Sequence, residues 1–165
     1  MTGLGKLKPS SNSEGPRAYA TFLISGDSVF PDFWTKYFGV DPDAVITKGK
    51  PFVTPSGRIS AAPGRTGVWG VSSRATIHDD GLDAHLRFLI SLLGLPREDL
   101  SVALRTAGAT MRFFCYWENY SGTRTPHISI DITEIVTTQG GVIEIDEYPQ
   151  RHRFKGNDGE EEVWV

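Results

Sequence analysis

The chain has 165 residues, with 17 Lys and Arg against 20 Asp and Glu, and a formal net charge of −3 at pH 7. This length suits one compact domain, and the acidic balance argues against a domain that binds nucleic acid by neutralising its phosphates. The single cysteine, Cys115, excludes an internal disulfide framework and a multi-cysteine zinc site.

Both ends of the chain are predicted to be extended tails. Residues 1–17 are rich in Gly, Ser, Asn, Pro and Lys, carry few apolar side chains and lack the apolar segment of a signal peptide. Residues 149–165 pass from a basic half to an acidic half that contains Glu160 and Glu161. No apolar run approaches the roughly 20 residues needed to cross a bilayer. We therefore expect a domain over residues 18–148 of a cytoplasmic protein without a membrane segment.

The domain is predicted to begin with a strand and a helix. Residues 18–25 carry apolar side chains on both faces, which is typical of a central strand. Residues 30–38 have a helical pattern, and Gly39 is expected to end this helix. Aromatic residues at helical spacing predict one buried stripe along it: Phe30, Phe33, Trp34, Tyr37 and Phe38.

Two strands and two helices are predicted in the middle of the chain. After a loop-rich stretch, residues 58–62 and 66–73 are expected to pair as antiparallel strands around a Pro-Gly-Arg turn. Leucine spacing predicts a helix over 82–93, on which His85 faces away from the leucines and toward solvent. Residues 97–106 are expected to form a second helix.

The last third of the domain completes an α+β pattern. Residues 110–117 again have two apolar faces and predict a second central strand. Residues 128–140 fit both a strand and a short helix, of which we favour the helix. Residues 142–148 predict a final strand with Glu144 and Asp146 on one face. This order indicates a single α+β domain with a mostly antiparallel sheet and helices packed on one face. It is typical of a split βαβ or ferredoxin-like fold with an extra helix–strand unit.

Five short segments, in their order and spacing, are similar to those of a known family: Phe22–Asp27, Lys48-Gly49, Gly67–Ser73, Leu82–Leu86 and Cys115–Trp117. Together with the final helix and strand, which end at Gly140 and Tyr148, they resemble the DUF4279 family, a bacterial domain family of unassigned function. The resemblance covers residues 19–148 and implies a single α+β domain. It implies no established catalytic residues for this chain.

Few residues point to catalysis or metal binding. Cys115 lies in mid-strand among apolar side chains, so we expect it to pack in the core rather than act as a nucleophile. His78, Asp79 and Asp80 are close in sequence, but a metal site needs three or four converging ligands, and we expect Asp79 or Asp80 to cap the next helix. We therefore predict no catalytic residue, no metal site and no cofactor. An enzyme that uses His78, Asp79 or Cys115 is the hypothesis we favour least, after the two binding functions described below.

Five cationic residues and one tryptophan are predicted to gather around the central hairpin and to form a basic surface that bears an aromatic ring. Such a surface would bind an anion or an acidic partner, because Arg and Trp are enriched in binding hot spots. The alternative is an ordinary solvated edge with the tryptophan in the core. The residues of this set are Lys48, Lys50, Arg58, Arg65, Trp69 and Arg74.

The hypothesis we favour is a non-catalytic protein-binding domain, of the kind that serves as a bacterial immunity or regulatory protein. An acidic surface would meet a basic partner, such as a cognate toxin or effector, and speed their association. Its residues are Glu144, Asp146, Glu160 and Glu161. The alternative is a domain that binds an anionic metabolite beside the predicted cations, with Trp69 or Trp117 as a stacking wall.

Overall fold

The computed structural model describes residues 16–120 and 122–149. The elements in chain order are β1 (Ala18–Gly26), α1 (Pro31–Phe38), β2 (Ala44–Ile46), β3 (Gly67–Ser72), α2 (Leu82–Leu93), α3 (Leu100–Ala107), β4 (Thr110–Asn119), α4 (Ile130–Thr138) and β5 (Val142–Pro149). Of these helices, none is both long enough and apolar enough to cross a membrane. Most of the two predicted tails, residues 1–15 and 150–165, lies outside the described residues.

All five strands form one sheet in the order β2-β3-β1-β4-β5. The first four are paired antiparallel, whereas β5 runs parallel to β4. Because β1 and β2 both run antiparallel to the β3 strand between them, β1-α1-β2 is a split βαβ unit. The β4-α4-β5 segment adds the extra helix–strand unit. The predicted α+β fold and the interior positions of β1 and β4 are confirmed.

The helices pack on one face of the sheet. Alternate residues of β1 and β4 are buried on this face, and they join buried residues from all four helices in one core. Aromatic rings fill its centre: the Phe22 and Phe113 ring centroids are 5.1 Å apart, and Phe38 stacks on Trp69 at 5.2 Å. Residues 128–140 contain the helix that we favoured, with Ile132 and Val136 in the core.

Two predictions about the first half of the domain are wrong. Residues 58–62 do not form a strand that pairs with β3. Ile59 makes only an isolated antiparallel bridge with Val53, and its side chain is 69% exposed, so little apolar burial favours a longer ladder. Strand β3 pairs instead with β2, which lies in the stretch predicted to be loop. The aromatic stripe of α1 is also only partly buried. Trp34 and Phe38 face the sheet, whereas Phe30 and Phe33 are 65% and 52% exposed.

Candidate functional site

Three of the predicted cations lie on adjoining loops. The Gly49 N–H donates to the Gly64 carbonyl at 2.8 Å, and the Gly64 N–H donates to the Lys50 carbonyl at 2.9 Å. These bonds bring the loop of Lys48 and Lys50 beside the loop of Arg65. The Lys48 ammonium is already paired, because its Nζ lies 2.8 Å from the Asp27 carboxylate.

The other members of the predicted basic surface are elsewhere. Arg65 precedes β3 and Arg74 follows it, so about 20 Å of strand separates them. Arg58 lies on an exposed turn farther along the same connection between β2 and β3, where its carbonyl accepts from the Thr54 N–H.

Trp69 does not contribute a ring to the surface. It is fully buried, and its Nε1–H donates to Thr35 Oγ1 at 3.0 Å. The reason is that alternate residues of β3 point into the core under α1, where a large ring is needed. Trp117 is buried as well, so neither tryptophan can form the stacking wall of the anion-binding hypothesis.

The opposite face of the sheet, here called the uncovered face, carries no described helix. Residues on it are half-buried or exposed in β1, β4 and β5. Three tyrosines from these strands form a continuous tyrosine row. Tyr19 stacks on Tyr116 with ring centroids 5.1 Å apart, and Tyr116 lies 4.7 Å from Tyr148. The guanidinium carbon of Arg74 lies 5.2 Å from the Tyr19 ring centre at one end of the row.

Carboxylates border the tyrosine row on its β4 and β5 side. The Tyr116 hydroxyl donates to Glu118 at 2.8 Å, and the Tyr148 hydroxyl donates to Asp146 at 2.7 Å. Burial, followed by the bond to Glu118, raises the pKa of Tyr116 to about 12. Asp146 also raises the pKa of Tyr148, because its negative charge disfavours phenolate formation. Both hydroxyls therefore stay protonated donors over the physiological range.

The predicted acidic residues Glu144 and Asp146 share the uncovered face with the tyrosine row. Glu144 pairs with Arg112 of the neighbouring strand at 3.0 Å, and Asp146 holds the Tyr148 hydroxyl. Glu160 and Glu161 lie outside the described residues. The sequence pattern identified the two β5 carboxylates but not the tyrosines, because the row exists only once three strands are placed in register.

A buried serine–histidine pair joins α2 to the sheet. His85 is fully buried and not solvent-exposed as predicted, because both ring nitrogens find partners. Its Nε2 lies 2.7 Å from the Asp79 carbonyl and its Nδ1 lies 2.7 Å from Ser73 Oγ. A carbonyl only accepts, so Nε2 carries a proton, and in the neutral ring Nδ1 accepts from the Ser73 hydroxyl. Both residues are sealed from solvent, and the pair joins structural elements rather than facing a substrate cleft.

The contacts of Cys115, and those of Asp79 and Asp80 in the turn before α2, are with groups that hold the fold together. Burial raises the pKa of the Cys115 thiol to about 12, which disfavours the nucleophilic thiolate. The Asp79 carboxylate accepts from the Gly81 N–H at 2.7 Å, and Asp80 pairs with Arg17 at 3.3 Å. In residues 16–120 and 122–149, no group of three or more His, Cys, Asp or Glu side chains could hold a metal ion.

Comparison with known proteins gives one match. The family model described as a domain of unknown function, DUF4279, matches residues 16–150. No curated protein and no solved structure matches the chain significantly. The family match spans the whole sheet and all four helices, so the chain belongs to the DUF4279 family.

Proposed function

We propose that this chain is a non-catalytic protein-binding domain that acts through the uncovered face of its sheet. Its partner would be a protein with basic side chains, and a bacterial immunity or regulatory role in the cytoplasm fits such an interaction. The observation that carries the proposal is the tyrosine row, which places three aromatic rings side by side on a face without a described helix. Tyrosine is among the residues that most often anchor protein interfaces.

The charges beside the row support a basic partner. Glu118 and Asp146 each accept one tyrosine hydroxyl and keep further lone pairs for a Lys or Arg side chain. The tyrosine rings add cation–π attraction, as the position of Arg74 over Tyr19 illustrates. A basic partner would therefore gain both aromatic contact and charge-assisted hydrogen bonds on this face.

A pull-down with the full chain from its native host tests this proposal. We expect one stoichiometric basic protein, retained less well as salt rises. A Tyr19→Ser/Tyr148→Ser variant should lose it. A Phe30→Ser/Phe33→Ser variant, which removes two exposed rings at the N-terminal end of α1, is the matched control and should retain it. Absence of a stoichiometric partner, or loss with the control variant alone, would contradict the proposal.

A second candidate function is binding of a small anionic metabolite at the adjoining Lys48–Lys50 and Arg65 loops. The observation that favours it is the pair of hydrogen bonds that brings these loops together. Screening phosphorylated metabolites by thermal shift tests it, since a ligand at 100 times its Kd should stabilise the fold by about 2.7 kcal/mol. A Lys50→Ala/Arg65→Ala variant should lose that shift, and a shift that survives in this variant would refute the site.

A further inference from the structure

Strand β5 presents a long free edge. It has eight residues and pairs along one side with β4, from Arg112–Val142 to Asn119–Pro149. Among residues 16–120 and 122–149, nothing pairs with its other side. By contrast β2, at the opposite edge of the sheet, has only three residues. Proteins usually protect a long edge strand, because its unpaired N–H and C=O groups template the addition of another strand.

The side chains of β5 restrict what can occupy this edge. Three carboxylates lie within four consecutive residues, Glu144, Asp146 and Glu147, and Ile145 between them is 40% exposed. A second copy of β5 would bring like charges face to face, which disfavours pairing between copies. Glu144 and Asp146 lie on the uncovered face, whereas Ile145 and Glu147 lie on the other. A strand that alternates basic and apolar residues would instead place its cations against Glu144 and Asp146 and its apolar side chains near Ile145.

We infer that the β5 edge binds an extended basic segment of the partner as a sixth strand of the sheet. The inference rests on the proposed function and specifies how the partner is held. Main-chain hydrogen bonds to the edge would supply affinity, and alternate side chains would supply specificity. Lysines or arginines of the added strand would lie beside Glu144 and Asp146 and next to Tyr148 at the end of the tyrosine row.

Three synthetic peptides test the added strand with the full chain. The first is an acetylated and amidated nonapeptide of alternating Lys and Val. The other two have the same sequence, with N-methyl groups on the Lys residues or on the Val residues, so that each has one blocked edge. A strand offers one edge to β5, so one methylated peptide should bind at least about tenfold more weakly while the other retains its affinity.

Charge-reversed variants link this binding to β5. Glu144→Lys/Asp146→Lys should weaken the unmethylated peptide at least about tenfold, because attraction becomes repulsion. The matched control is Glu98→Lys/Glu134→Lys, which makes the same change of net charge at exposed positions outside β5 and should bind normally. Equal loss in both variants would mean that the peptide responds to net charge alone, and this would overturn the inference.

The remaining outcomes separate failure of this inference from failure of the proposed function. Equal binding of all three peptides, lost on charge reversal at β5, would refute strand addition and leave the acidic binding face in place. Absence of binding by every peptide would overturn the inference, while the pull-down would still decide the proposed function. Hydrogen exchange of the free chain adds a check on β5. If the outer amides of β5 are protected before peptide is added, another part of the chain already occupies the edge. If that protection depends on protein concentration, a second copy occupies it. Either result would overturn the inference.

Discussion

Replacing Ser73 by alanine tests whether the buried Ser73–His85 pair holds α2 to the sheet. The Ser73 Oγ accepts from the Ala20 N–H at 2.9 Å and donates to His85 Nδ1 at 2.7 Å. Alanine would leave both groups without these bonds in a site closed to water. Each orphaned buried group costs about 1–3 kcal/mol, so we expect the free energy of unfolding to fall by about 2–6 kcal/mol. Domains are typically stable by about 5–15 kcal/mol, so the loss is large.

Urea unfolding followed by tryptophan fluorescence measures this loss, with the m-value as a check on two-state behaviour. Ser72→Ala is the matched control, because the Ser72 hydroxyl is only partly buried and its bonds to Thr21 and Arg74 are 3.3 Å long. We expect it to cost less than about 1 kcal/mol.

The double variant Ser73→Ala/His85→Leu isolates the pair itself. Because it removes both partners together, it should destabilise the domain by at least about 1 kcal/mol less than the sum of the single variants. The reasoning is refuted if the single effects add, or if Ser73→Ala costs no more than Ser72→Ala.

Three further outcomes follow from the ionisable groups. Although burial acts to raise the pKa of Asp83, its hydrogen bonds with Ser129 hold that pKa below the ordinary value of 3.8. The stabilisation by Asp83 is thus present above pH about 4 and is lost as pH falls through the folded-state pKa. In urea unfolding, Asp83→Asn should therefore destabilise the domain at pH 7, and this effect should shrink progressively as pH falls below about 4. Cys115 should resist a thiol reagent in the native chain and react once urea unfolds it; rapid native reaction would contradict its burial. Burial and Glu118 raise the pKa of Tyr116 to about 12, and that of Tyr37 is also about 12. In a titration followed by nuclear magnetic resonance of labelled tyrosine rings, which separates the two, Glu118→Gln should lower the Tyr116 midpoint; an unchanged midpoint would exclude the carboxylate as a cause.

Much of the fold could be predicted because its strongest sequence signals are local. Two apolar faces identified β1 and β4 as interior strands, and each is flanked by another strand on both edges. The leucine spacing identified α2, and Gly39 ends α1 in the left-handed conformation that glycine adopts without strain. These features depend on residues close together in the chain, where periodicity carries the information.

The features that were predicted wrongly depend on distant partners. His85 is polar and off the leucine stripe, so only its bonds to Ser73 and Asp79 make its burial favourable. Phe33 belongs to the aromatic stripe, yet the sheet covers only the side of α1 that bears Trp34 and Phe38. The same limit applied to the candidate site: the alternation of β5 predicted its carboxylates, whereas the tyrosine row required the pairing of β1, β4 and β5.

The side chains of the tyrosine row are already fixed in the free protein, and for this reason we expect the partner to bind there rather than at the loops of Lys48, Lys50 and Arg65. Tyr19 stacks on Tyr116, Tyr148 lies tilted against Tyr116, and carboxylates hold two of the three hydroxyls. Immobilising a mobile side chain on binding costs about 0.5–1.5 kcal/mol, so three ordered rings avoid about 1.5–4.5 kcal/mol. That difference corresponds to roughly 10- to 2,000-fold in affinity. A long exposed side chain such as Lys50 would lose its rotamer freedom when it bound an anion, and this loss would offset part of its charge attraction.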